Sequence, residues 1–443
     1  MLNIQDNAPL CRKWMFLAVC ALACSGLLSI IVIFLRLPFI SSLVPSAQYI
    51  FDNALVIHVN LSILVWMCSI ISLLFIINLQ NTNSWFNFSW VLSTLSMLLM
   101  FISAFVPNTE VIKSNYIPVL QNKLFLLGLS LFIASILVNT MLAYTSKKEV
   151  SFLSVGQIGL VIILVSSFLC FVLAYNNMPP GLYHSDKNLF YEYLFWGGGH
   201  LLQFAFTQGM FLVYLIMLSS NDISLASSNK ITILPLFINT ILAVGAPFVY
   251  FVYPVDSAKL IQFFTWHMRI AGAVLPCFLI ILVCCNIRTF INDKSNYLLH
   301  SFLLFTYGDV LGVLTIEGNV TIPAHYHGSV VGITIAFMNF IYWLLPKLNF
   351  KEVKNSMVRL QIYAYSVGHF LHITGLVWLG GYGALRKVAD LPSISSMLAR
   401  TCFIIGGAIS VVGGMLFVII VLLHLLKGKA RTNCTAIKLR KKC

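Results

Sequence analysis

The chain has 443 residues, 59% of them apolar and only 9% charged, a balance that excludes a soluble domain and points to a polytopic α-helical membrane protein. Its net charge of +14 would suit a nucleic-acid binder, but the basic residues collect in loops on one side and in the C-terminal tail, so membrane topology accounts for them. The eleven cysteines lie mostly inside apolar segments and make no Cys-x-x-Cys or Cys-x-x-Cys-His spacing. This argues against a disulfide framework, a zinc site and covalently attached c-type haem.

Twelve spans are expected, at 14–38, 51–78, 83–106, 123–145, 151–174, 188–219, 231–253, 257–287, 295–316, 320–346, 356–381 and 398–426. The fold class is therefore all-α, a twelve-helix transmembrane domain over 14–426 between an N-terminal segment (1–13) and a basic tail (427–443). The first apolar run begins at Trp14 with no small-residue cleavage site after it, so it reads as a permanent helix and not a signal peptide. An even number of spans places both termini on one side. Arg12, Lys13 and the tail mark that side as cytoplasmic, and the loops holding Lys147, Lys148, Lys230, Arg288, Lys294, Lys347, Lys351 and Lys354 agree. The outer loops carry fewer charges, among them Arg36, Lys113, Lys187, Lys259, Arg386 and Lys387. An integral protein of a bacterial inner membrane is expected, its tail held by anionic lipid. No internal repeat and no second soluble domain is visible.

Ionisable residues at membrane depth are functional candidates, and the histidines are the informative ones. His58 comes early in the second span, and His200 follows Gly197-Gly198-Gly199 in the sixth. Those glycines let another backbone or a planar group come close. The tenth span opens on Pro323-Ala324-His325-Tyr326-His327-Gly328. Two residues subtend roughly 200° on a helix, so His325 and His327 leave opposite flanks of one rod, which can then ligate a flat cofactor on each side. Imidazole is a good iron ligand; the alternative is two polar residues hydrogen-bonding to neighbouring helices. The second, sixth and tenth spans all run from outside to inside, so His58, His200, His325 and His327 converge on the outer half of the bilayer. His369 and His372 share a face of the eleventh span, and either bind something or hydrogen-bond a haem edge or a neighbouring helix. His184, His300 and His424 read as solvated or interfacial.

With these features in hand the chain resembles subunit I of the haem–copper oxidase superfamily over nearly its whole length. The points of resemblance are the twelve spans, the early second-span histidine, the Gly-His of the sixth and the Ala-His-aromatic-His of the tenth. The resemblance implies two haems: His325 would ligate the high-spin haem, and His327 with His58 the low-spin one. It also implies that Arg36 hydrogen-bonds the low-spin haem and that Arg386 and Lys387 lie near the haem propionates, all three on the outer side. The departures fall at the distal metal. The family's copper site joins the sixth-span histidine to two adjacent histidines of the seventh, where this chain reads Phe248-Val249-Tyr250-Phe251-Val252-Tyr253. His267 lies in Phe264-Thr265-Trp266-His267-Met268, which aligns with the eighth span. Only His200 is left as a distal metal ligand, a poor copper site by itself. Phe204 stands where the family places its active-site tyrosine, leaving Tyr250 and Tyr253 as candidate phenols. Phe278 replaces the eighth-span lysine of many relatives, and the second-to-third loop (Leu79-Gln80-Asn81-Thr82-Asn83) has no acid. No titratable route for proton pumping is therefore expected.

Two functions follow from the resemblance. One is a respiratory-chain oxidase subunit passing electrons from low-spin to high-spin haem to reduce O2, supplied by a partner subunit. The other is a copper-less derivative that binds or reduces NO or O2, or serves as a haem-based sensor or assembly partner. A transporter with pore-lining histidines lacks paired broken spans and leaves the His-x-His geometry unexplained. A four-histidine cytochrome b bundle would need paired histidines several turns apart on two helices, which the sequence lacks.

Overall fold

The computed structural model describes residues 4–36, 38–80, 82–146, 151–220, 229–292, 296–314, 320–381 and 397–427. Among them, twelve long helices follow one another: α1 (Ala8–Leu35), α2 (Ala47–Ile76), α3 (Ser84–Ser103), α4 (Lys123–Thr145), α5 (Phe152–Asn176), α6 (Lys187–Ser219), α7 (Asn229–Gly245), α8 (Ala258–Cys285), α9 (Asn296–Leu314), α10 (Thr321–Lys347), α11 (Asn355–Gly381) and α12 (Met397–Leu426). Each matches one expected span. Helices satisfy their own backbone groups, which hydrocarbon cannot do. By length and composition 11 of the helices can cross a bilayer. The other, α11, is 27 residues long, but Arg359, Gln361, His369 and His372 make it more polar.

Local chemistry explains where the helices depart from regularity. α1 begins before Trp14 because its polar start finds partners. Asn7 donates to the carbonyls of Ile76 and Leu79, both at 2.9 Å, and Arg12 donates to the carbonyl of Leu348 at 2.7 Å. α2 passes through a π-helical stretch, Asn60–Val65, immediately below His58. α7 tightens into a 3₁₀ turn over Ala246–Phe251, with Pro247 in its first turn. α8 breaks between Ile270 and Val274, where Pro276 supplies no N–H to the preceding turn. The α3–α4 connection forms a two-stranded antiparallel ribbon, β1 (Val111–Ile112) with β2 (Val119–Leu120), paired Val111 to Leu120 and Ile112 to Val119.

Small residues bring the backbones together where the histidines sit. Gly308 of α9 and Gly328 of α10 face each other so closely that a Cβ on either would meet the other's backbone. α11 and α12 meet in the same way, Gly406 lying against the backbone of His372 and Gly368 against that of Ser410. α10, α11, α12, α1 and α2 then follow one another by pairwise packing, and together they enclose a cavity.

Candidate functional site

That cavity has a volume of about 390 Å³, within the range of sites that hold cofactors. Four imidazoles line it: His58 from α2, His327 from α10, and His369 and His372 from α11, together with Arg36 at the end of α1. Among the described residues the lining contains no carboxylate, and the rest is mostly aliphatic.

Hydrogen bonds sort the histidines by what each ring has left to offer. A ring nitrogen facing a carbonyl must be the N–H, so the other nitrogen of the neutral imidazole carries a lone pair. His58 Nδ1 lies 3.1 Å from the carbonyl of Ser25, whose hydroxyl is 2.9 Å away and also donates to the carbonyl of His58. His327 Nδ1 donates to the carbonyl of Pro323 at 2.8 Å, one turn earlier in α10. Both rings therefore keep Nε2 as the donor atom for a metal, held in a fixed orientation, as metal-ligating histidines generally are. His325 Nδ1 donates to the carbonyl of Gly308 at 2.7 Å, and its ring lies against Gly312. His325 thus turns toward α9 while His327 turns into the cavity beside α11. The two-flank geometry expected of the tenth span is what this helix adopts.

Arg36 fits an anionic partner. Its guanidinium lies over the rings of Phe51 and Phe403, at 5.3 and 5.5 Å, and its Nε is buried without a hydrogen-bond acceptor. A buried cationic donor of this kind is costly unless a charged acceptor joins it. Arg386 and Lys387, the other expected propionate partners, lie outside the described residues.

The distal residues sit elsewhere. His200 Nδ1 donates to the carbonyl of Trp196 at 2.7 Å, and its Nε2 accepts from the hydroxyl of Tyr116 at 3.0 Å. Tyr116 comes from the tip of the β1–β2 ribbon and rests on Gly199. Burial, reinforced by the charge of Glu192, pushes its phenol well above the ordinary tyrosine range, so it stays protonated and donates. Both nitrogens of His200 are thus taken by the protein, and the arrangement does not fit a copper ligand. His267 Nε2 donates to the carbonyl of Leu242 at 3.0 Å, its ring stacked on Phe204 at 5.0 Å. Tyr250 packs its hydroxyl on Gly197 and its ring 5.7 Å from Phe264. Tyr253 is half-buried near Lys259. Neither tyrosine lines the four-imidazole cavity.

Sequence reasoning did not single out Tyr116, which stands in the polar outer stretch Lys113-Ser114-Asn115-Tyr116 with no periodic signal to mark it. It did place His369 and His372 on one face of their helix, but not in the same cavity as His58 and His327.

The fold and the site together define an integral membrane protein of many spans, with two half-buried imidazoles of one helix turned to different neighbours. Residues 10–416 match the family described as Cytochrome C and Quinol oxidase polypeptide I, and the chain belongs to that family, as a haem–copper oxidase subunit I-like protein. It is 29% identical over 491 aligned positions to an uncharacterised protein of Rickettsia prowazekii (strain Madrid E), covering 94% of this chain and 96% of that one. It is also 22% identical over 349 positions to an uncharacterised protein of Aquifex aeolicus (strain VF5), covering 76% of this chain and 85% of the other.

Proposed function

We propose that this protein is a dihaem electron carrier of a respiratory chain that binds O2 or NO, with His58 and His327 holding a low-spin haem and His325 a high-spin one. The observation that carries the reading is the pair His58 and His327, each tied through Nδ1 to a backbone carbonyl and both lining one cavity. Haem typically accompanies members of this family; when bound, it supplies a reversible one-electron iron couple. The protein's part is to orient and insulate. His58 and His327 would hold the first group from two helices, an arrangement suited to electron transfer. His325, a single imidazole tied through Nδ1 to Gly308, would hold the second group and supply a gas-binding iron there. Arg36 offers its buried cation to the propionate edge, as Arg386 and Lys387 would by resemblance. α10 would hold both groups, through His325 toward α9 and His327 in the cavity.

The distal chemistry is read as copper-less, with Tyr116 occupying the nitrogen of His200 that a metal would need. Tyr250 and Tyr253 are the candidate phenols of the seventh span, and no step is assigned to them. Subunit I proteins usually work with partner subunits, and a partner supplies the electrons here. The domain limits, the cytoplasmic termini and the bacterial inner membrane belong to the same reading.

The test is a reduced-minus-oxidised and a CO-difference spectrum of the purified protein with parallel iron and copper quantitation. Two haems per chain, one of them binding CO, and no stoichiometric copper are expected. One tightly held copper per chain would overturn the copper-less reading, and protein free of haem from porphyrin-replete cells would overturn all of it.

A further inference from the structure

The cavity contains more imidazoles than one iron can take along its axis. On the α2 side there is one, His58; on the α10–α11 side there are three, His327, His369 and His372. Of the two extra rings, His372 is prepared in the same way as the assigned ligands. Its Nδ1 donates to the carbonyl of Phe403 at 2.9 Å, its ring is stacked on that of Phe403 at 4.6 Å, and its Nε2 is left with a lone pair. Its backbone is fixed from behind by Gly406 of α12. The ring centre lies 5.4 Å from that of His327, so the two imidazoles are neighbours on one wall. His369 lies 6.3 Å from His327, but its Nδ1 is buried without a hydrogen-bond partner among the described residues.

The geometry points to His372 as a second imidazole ligand on this wall: the low-spin centre forms with either His327 or His372 opposite His58. The inference rests on the haem reading of the cavity. It predicts an asymmetry that a purely packing role for His372 does not. Removing the lone imidazole of α2 leaves no substitute, whereas removing His327 leaves one that already lines the cavity with Nδ1 tied to Phe403.

The experiment uses the full chain purified from membranes, with haem content, ferric electron paramagnetic resonance and the CO-difference spectrum as readouts. The CO-binding haem serves as the internal measure of folding. His327→Ala is expected to keep two haems per chain and a bis-imidazole low-spin signal, with altered g-values. His58→Ala loses that signal, and so does His327→Ala combined with His372→Leu. Combining His327→Ala with His372→Met replaces the bis-imidazole signature by the thioether-to-iron charge-transfer band of a His–Met pair, which no structural role for His372 would produce. The inference is overturned if His327→Ala loses the low-spin signal as completely as the double variant while CO binding persists. If His327→Ala does not accumulate, His327→Gln, closer in volume, gives the same reading. Wild-type protein without any low-spin haem would refute the haem reading itself, an outcome distinct from failure of the ligand exchange alone.

Discussion

Replacing Arg36 by methionine tests the electrostatics of the cavity directly. Arg36 ends α1 through its backbone N–H and lines the cavity, while Ser25, which orients His58, lies eleven residues earlier on the same helix. At 1.5 Å of rise per residue the two levels are about 16 Å apart. A unit charge at that distance, in a medium of effective dielectric about 20, is worth about 1 kcal/mol, or about 45 mV for a one-electron couple. The long side chain reaches back into the cavity, so this is the lower bound. Loss of a nearby positive charge favours the oxidised iron, and the midpoint potential of the low-spin haem falls. Spectroelectrochemical titration of wild type, Arg36→Met and Arg36→Lys measures it, with the lysine variant staying near wild type because the charge is kept. A methionine variant that retains its haem and shifts by less than about 20 mV, or shifts upward, would refute the reasoning.

Three further outcomes follow from the same geometry. His325→Ala is expected to abolish CO binding and leave the low-spin spectrum, and His58→Ala to do the reverse, read by difference spectroscopy of the same preparations. Gly312→Val places a side chain where the ring of His325 now lies; the CO-binding haem should be lost or its spectrum shifted, while the low-spin haem keeps its g-values. Tyr116→Phe leaves Nε2 of His200 buried without a donor, at a cost of about 1–3 kcal/mol. Thermal unfolding in detergent should show the loss, and an unchanged midpoint would mean that His200 has another partner.

What was legible in the sequence was whatever depends on periodicity and spacing along one helix. Apolar runs bounded by charge gave the helices, since hydrocarbon leaves the backbone little choice. His325 and His327 diverge because two residues subtend a fixed angle, and no neighbour can alter that. What was not legible depends on which helices meet. Nothing in Gly368-His369-Phe370-Leu371-His372 says that this face meets α12 through Gly406 and opens onto the cavity of His58. Tyr116 is harder still, because a ribbon of two short strands carries it across to α6, and such a contact leaves no local pattern. The early start of α1 has a similar cause: Asn7 and Arg12 read as exposed polar residues until the carbonyls of Ile76, Leu79 and Leu348 are seen to receive them.

The wider turn below His58 has a consequence for how this chain tolerates change. A π-helical stretch holds one residue more than the α-helix it interrupts, and such bulges recur at functional sites. Above it, α2 presents His58 to the cavity; below it, every residue from Trp66 to Ile76 is buried against other helices. Rewinding Asn60–Val65 as an α-helix at unchanged length would swing the upper segment by about 100° relative to the lower. The imidazole would then leave the cavity wall without any change to the residue itself. The second span thus behaves as two rotors joined by a phase shift, which the wider turn sets.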